Sequence, residues 1–207
     1  MSSPASSLFV VSAPSGAGKS TVVSGAMARV PGIRFSVSHT TRPPRAGEED
    51  GVHYHFVSPE GFEDLVRGDG LLEHAEVHGH RYGTSWSEYE RARADGVDLL
   101  LDVDVQGAAQ VRTRMPGMLS VFILPPSFEA LERRLRGRGQ DEEATIRRRL
   151  DAARREIGRF REYDYAIVND DVARCVDTLA CVIRSARARV ACIETAAQEI
   201  LRTFPTD

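Results

Sequence analysis

Short apolar runs alternate with helical patterns along most of this chain. "SLFVVSA" (7–13) is apolar over the length of a strand, and "KSTVVSGAMARV" (19–30) follows it with helical spacing. "VDLLLDVDV" (97–105), "VFILPP" (121–126) and "YAIVND" (165–170) read as further strands. "LERRLRGR" (131–138), "EEATIRRRLDAARREIGRF" (142–160) and "VARCVDTLACVIRSARARVACIETAAQEIL" (172–201) read as helices. Strands that are apolar throughout are buried on both faces. Their alternation with helices predicts an α/β fold, a parallel sheet core flanked by helices.

Residues 33–84 break that rhythm. "RFSVSHTTR", "VHYHFV" and "LEHAEVHGHRYGTS" alternate apolar and polar positions, with one short helical stretch near "PEGFEDLVRG". This pattern predicts a small, mainly antiparallel inserted unit. A second irregular zone is the arginine-dense stretch 133–161. There is no internal repeat, low-complexity tract or flexible linker, so the 207 residues read as one domain with inserted subdomains.

Composition narrows the function classes. A net charge of −3 gives no support for a general nucleic-acid binder. The longest apolar runs are too short to span a bilayer, and the N-terminus lacks a basic leader segment. Cys175, Cys181 and Cys192 have no metal-ligand spacing and fall within the long C-terminal helical pattern; they read as reduced, small hydrophobes. Together these features predict a cytoplasmic protein without a membrane or nucleic-acid partner. Oligomeric state, monomer or homo-oligomer, is open.

The strongest chemical signal lies in "APSGAGKST", between the first strand and the first helix. Gly16 and Gly18 permit positive φ, so the backbone N–H groups turn inward and, with the helix N-terminus, form an anion nest. Ala13, Pro14, Ser15, Gly16, Ala17, Gly18, Lys19, Ser20 and Thr21 are the expected nucleoside triphosphate-binding residues. Lys19 is expected on the β- and γ-phosphates and Ser20 on Mg²⁺. Lys19 is also the single lysine of the chain; the other 26 of the 27 basic Lys and Arg residues are arginine. A compact cation fits between a backbone nest and two phosphates, where a guanidinium fork is too wide.

A phosphate loop alone does not name the acceptor. Three features point to a small phosphorylated molecule. "SVSHTTRPPRAGEEDGVHYHF" (36–56) brings together Ser38, Arg42, Arg45 and Tyr54; arginines three residues apart in a proline-stiffened turn suit a phosphate or form a solvated basic turn. "LLEHAEVHGHRYGTS" (71–85) supplies Glu73, Tyr82 and Thr84. Glu73 is suited to accept from a guanine N1–H and N2–H₂ edge, unless the segment is an ordinary surface hairpin. "LLLDVDVQG" (99–107) ends a strand in Asp102, an acidic partner for a metal beside the phosphate loop. Asp104 is placed two residues on, on the same side of an extended chain, and a strand-end aspartate also serves to cap a following helix.

The stretch 133–161 carries eleven arginines. Most are expected to be solvated and paired along helices, while a few close over phosphates as a mobile lid. "RRLRGRGQ" is the segment expected to move, because Gly137 and Gly139 weaken the helix there. Residues 130–159 contain no aromatic side chain, which disfavours a single-stranded nucleic-acid platform.

From "VVSAPSGAGKST" through "SVSHTTRPPRAGE", "LLEHAEVHGHRYGTS", "LDVDVQG", "ILPPS" and "RLRGRGQ" to "YDYAIVNDD", the chain resembles the guanylate kinases over roughly residues 8–190. The resemblance implies a P-loop NTPase-type core (1–32, 93–125 and 156–207), a GMP-binding insert (33–92) and a helical lid (126–155). It implies ATP and GMP as partners, Mg²⁺ as cofactor, and direct in-line transfer giving ADP and GDP. By the same resemblance, GMP contacts fall on Ser38, Arg42, Arg45, Tyr54, Glu73, Tyr82, Thr84 and Asp104. Phosphate-clamping arginines fall on Arg134, Arg138 and Arg149, which with Lys19 and Arg42 form the catalytic set. Asn169 lies beside the adenine, and Ser20 with Asp102 lies near the metal. These contacts leave the sugar lightly read, so dGMP is expected as a substrate too. Val105 replaces a bulkier residue common before the glutamine of "DVDVQG", and is expected to pack rather than react.

Rival readings remain. One is a catalytically silent guanylate-kinase-like binding module, which typically loses the lysine or the lid arginines kept here. Another is a kinase for a different nucleoside monophosphate. A third is a metal site on the pairs His53/His55 and His78/His80, set against the simpler reading of ordinary strand histidines.

Overall fold

The computed structural model describes residues 6–77, 79–137 and 142–205. The chain begins with β1 (Leu8–Ser12), α1 (Lys19–Met27) and β2 (Ile33–Phe35). There follow β3 (His39–Thr40), β4 (His55–Phe56), α2 (Pro59–Arg67), β5 (Leu71–Val77) and β6 (His80–Ser85). Next come α3 (Trp86–Ala94), β7 (Asp98–Asp102), α4 (Val105–Arg114), β8 (Leu119–Leu124) and α5 (Phe128–Arg136). The chain ends with α6 (Glu143–Ile157), a 3₁₀ turn (Gly158–Glu162), β9 (Tyr165–Val168), α7 (Val172–Ala186) and α8 (Val190–Leu201).

Two sheets result. The core sheet has five strands in the order β2-β7-β1-β8-β9, all parallel. β1 is central and wholly buried, which accounts for its unbroken apolar run. One face packs on α1 and α7 through Phe9, Val11, Val22, Val23, Val176, Leu179 and Ile183. The other packs on α3 and α4 through Val10, Leu99, Leu101, Ala92, Ala108 and Val111. This is the three-layer arrangement expected of a doubly covered parallel sheet. The second sheet, ordered β4-β3-β6-β5, has antiparallel β3–β6 and β5–β6 pairs and one parallel β3–β4 pair. A third, small cluster of Leu131, Leu135, Ile146, Leu150 and Ala153 joins α5 to α6.

Several boundaries differ from the sequence expectation. β2 was expected inside the insert, yet Ile33–Phe35 pairs with β7 at the edge of the core sheet. α3 also packs against the core, through Trp86, Tyr89 and Ala92. The separate small sheet therefore spans residues 39–85, where the alternating pattern predicted a unit over 33–84. β7 stops at Asp102 instead of running to residue 105, because Asp104 caps α4 by accepting from the N–H groups of Gln106 and Gly107. The stretch 142–160 is one helix to Ile157 and a 3₁₀ turn after it. The stretch 172–201 is two helices, with Cys192 on the second. They part at Arg189, whose backbone is extended (ψ 143°), two residues after Arg187, whose guanidinium turns back to Asp98 Oδ2 (2.8 Å) and to the main-chain oxygens of Pro31 and Gly32.

Candidate active site

The phosphate loop is shaped by its glycines. Gly16 and Gly18 have φ of +90° and +92°, the left-handed conformation that side chains oppose. No side chain caps α1, so its first N–H groups point into the loop, the arrangement of an anion site at a helix N-terminus. The loop is pinned from outside. Asn169, buried at the end of β9, donates Nδ2 to Ala17 O at 2.7 Å, and its Oδ1 has no partner among the described residues. Arg134 on α5 bonds Ala17 O (3.2 Å) and Asn169 O (2.9 Å). Arg149 on α6 donates Nε to Ser15 Oγ at 3.1 Å. Arg138 and Gly139 lie outside the described residues.

Two cavities meet at Lys19. The first, about 330 Å³, is lined by the loop (Ala13 to Thr21, apart from Ala17) together with Val77, Asp104, Arg149, Ala152 and Glu156. The second, about 270 Å³, lies between the core and the small sheet and is lined by Ser38, Tyr54, Glu73, Ala75, Tyr82, Asp102 and Val103, again with Lys19, Val77 and Asp104. Lys19, Val77 and Asp104 thus border both. Lys19 Nζ forms an ion pair with Asp102 and donates to Val103 O at 3.2 Å, which holds the cation at the junction.

The second cavity has a polar wall at Glu73, which is 5% exposed and accepts from the buried Thr84 hydroxyl at 2.8 Å. Burial lifts its carboxyl to about 7, with the nearby charge of Asp104 adding to the rise. Behind the lining residue Tyr54, Glu48 grips the Arg42 guanidinium through both oxygens, at 2.8 and 2.9 Å. That contact holds Glu48 at about 2 and raises Arg42 further above its ordinary range. Arg42 also lies 5.4 Å from the Tyr54 ring, and the Tyr54 and Tyr82 rings meet edge-on at 5.9 Å. Arg45 is exposed, and its backbone N–H donates to Glu48 at 2.7 Å.

Of the residues named from sequence, residues 13–16 and 18–21, Ser38, Tyr54, Glu73, Tyr82, Asp102, Asp104 and Arg149 line one or both cavities, while Ala17 and Asn169 line neither. Arg42, Arg45 and Thr84 stand behind or beside the second cavity rather than lining it. Arg134 is committed to the loop backbone. Asp104 reaches both cavities as a helix cap, not as a strand residue. Among the described residues no group of three or more His, Cys, Asp or Glu is placed to hold a metal. His55 stacks on His39 at 4.6 Å, and His53 accepts from the Glu49 N–H. His78 lies outside the described residues.

The family profile described as guanylate kinase matches residues 5–186 of the chain. The chain belongs to the guanylate kinase family. It is 52% identical over 195 residues to the guanylate kinase of Alkalilimnicola ehrlichii, covering 94% of this chain and 96% of that one. It is 50% identical over 182 residues to the guanylate kinase of Neisseria meningitidis serogroup A, covering 88% and 89%. The crystal structure of guanylate kinase from Anaplasma phagocytophilum superposes with a TM-score of 0.81 at 33% identity, covering 100% of this chain and 99% of that one. Among the described residues, no helix is long and apolar enough to cross a membrane.

Against that family background, two acidic residues at the site were not singled out from sequence. Glu48 reads as one charge in an acidic loop, and only its double contact with Arg42 marks it. Glu156 reads as one charge on an arginine-rich helix. It lines the phosphate-loop cavity, where burial and the facing Asp104 raise its carboxyl above the ordinary range.

Proposed function

We propose that this member of the guanylate kinase family transfers the γ-phosphoryl group of ATP to the phosphate of GMP, and of dGMP, in one in-line step. The observation that carries this reading is the pair of cavities that share Lys19, Val77 and Asp104. A triphosphate seated on the loop N–H groups and a monophosphate in the second cavity would present their reacting ends to each other at Lys19.

In this reading Glu73 accepts from the guanine N1–H and N2–H₂ edge, with Thr84 orienting the carboxylate. Arg42, Arg45, Tyr54, Tyr82 and Ser38 hold the acceptor phosphate. Lys19 leaves Asp102 and Val103 O for phosphate oxygens and offsets the charge that builds during transfer. Arg149, already at the loop, adds a second cation there. Arg134 and Asn169 keep the loop backbone in shape beside the adenine.

The donor set fits Mg²⁺. Ser20 lines the phosphate-loop cavity and Asp102 the adjoining one, oxygen donors too few to enclose an ion, as suits a hard cation that keeps waters and arrives with the substrate phosphates. Ser20 and Asp102 would hold it, directly or through water, and when bound it neutralises charge between the β- and γ-phosphates.

Single displacement makes a sharp kinetic prediction. Labelled ADP should not exchange into ATP unless GMP or GDP is present. Exchange in their absence would indicate a phosphorylated enzyme and refute the in-line step.

A further inference from the structure

Glu73 is held in place by a residue on another element. Its Oε1 takes the Thr84 hydroxyl, while its Oε2 faces the first turn of α4. A Cβ placed on Gly107 would sit 2.5 Å from Glu73 Oε2 and 3.2 Å from its Cδ. Gly107 is buried, and its φ is not in the left-handed region, so the backbone itself does not require glycine there. What requires glycine is the carboxylate.

The strand cannot move away to make room. Gln110 on α4 accepts from His74 N at 3.1 Å and donates to His74 O at 2.7 Å, one residue beyond Glu73. Arg114 donates to Leu71 O at 2.7 Å, two residues before it. The backbone on both sides of Glu73 is thus tied to the helix that carries Gly107. A side chain at position 107 would push against the mobile end of Glu73, and against Val103 Cβ at 3.2 Å, which needs only a few tenths of an ångström of relief. The steric cost falls on the functional group more than on the fold.

We propose that Gly107 is a specificity-determining position, a positioning residue that fixes where the Glu73 carboxylate meets the purine. The proposal rests on Glu73 being the guanine reader. Guanine offers that carboxylate two donors, at N1 and N2; hypoxanthine offers one, at N1; adenine offers none at N1 or C2. A site built around such hydrogen bonds rejects analogues that lack them, provided the acceptor is accurately placed. A displaced carboxylate loses that selectivity while the phosphate loop is untouched.

The test is a double-mutant cycle of wild type, Gly107→Ala, Glu73→Ala and the double variant, read as KM for GMP, IMP and ATP together with thermal midpoints. Gly107→Ala is expected to raise KM for GMP by roughly tenfold, the equivalent of one good hydrogen bond, and to narrow the GMP-to-IMP preference. KM for ATP should stay within about twofold. In the Glu73→Ala background, adding Gly107→Ala should change KM for GMP by less than about twofold and cost less thermal stability than in wild type. An unchanged KM for GMP in Gly107→Ala, or the same increase in both backgrounds, overturns the proposal. Should Gly107→Ala fail to fold on its own, folding of the double variant supports the clash with Glu73, and failure of both overturns it. Wild-type GMP kinetics in Glu73→Ala would instead refute the guanine reading itself.

Discussion

Lys19, the first residue of α1, forms an ion pair with Asp102, the last residue of β7. The contact places the chain's single lysine at the boundary of both cavities, held by a carboxylate and by the Val103 carbonyl. An ammonium suits this position between two oxygen partners as a point charge, where a planar guanidinium is wider and binds as a fork.

Lys19→Arg should therefore keep the fold and lose the chemistry. We expect a thermal midpoint within about 3 °C of wild type and a fall in kcat of at least about a hundredfold. Circular dichroism melting and a coupled ADP assay check both halves.

With Glu73 as the proposed guanine acceptor, GMP binding should depend on pH. Its carboxyl titrates near about 7 instead of its ordinary 4.5, mainly through burial. Above pH 7 it is charged in the folded and the unfolded chain, and the folded chain bears the full burial cost. As pH falls from 7 to 4.5 the folded chain takes up the proton first, so this group's contribution to stability rises across that window. Glu73→Gln should consequently be more stable than wild type at pH 8, by up to about 3 kcal/mol, and the gain should shrink toward pH 4.5. Urea unfolding at the two pH values measures this. In wild type, KM for GMP should rise as pH drops below 7, because only the carboxylate accepts both guanine donors. Glu73→Gln should show a high KM that is flat with pH.

In the proposed reading Arg42, held by Glu48, serves the acceptor phosphate beside the second cavity. Glu48 also receives the Arg45 N–H, so one carboxylate braces the whole turn between them. Glu48→Ala should raise KM for GMP by about fivefold or more with KM for ATP nearly unchanged. Steady-state kinetics with each substrate varied would show the split. An equal rise in both would mean that Glu48 acts on the fold as a whole.

Arg149 links α6 to the phosphate loop through Ser15. In the proposed reading this cation serves the transferring group, so Arg149→Ala should lower kcat by about tenfold to a hundredfold and change KM for GMP little. A rise confined to KM for GMP would place it on the acceptor side instead.

What could be read in the sequence, and what could not, follows from range. The phosphate loop was legible because its demands are local: two glycines at positive φ, one lysine, and a strand and helix on either side. The core strands were legible because burial on both faces makes them apolar throughout. β2 was hidden because Ile33–Phe35 is short, edge-placed and half exposed, so its composition does not separate core from insert. The break between α7 and α8 was hidden because no glycine or proline marks it; it lies at Arg189, beside an Arg187 whose partner Asp98 is 89 residues away in sequence. The same holds for Gly107, whose neighbour Glu73 comes from another segment of the chain.

The most direct test of the assignment uses purified protein with ATP, Mg²⁺ and one nucleoside monophosphate at a time, with products separated by ion exchange. With GMP, ADP and GDP should appear in equal amounts, and without it ATP hydrolysis should be slower by about a hundredfold or more. Rates on AMP, CMP and UMP should lie far below the rate on GMP. Binding of GMP without turnover, or turnover of AMP at a rate comparable to GMP, would contradict the assignment.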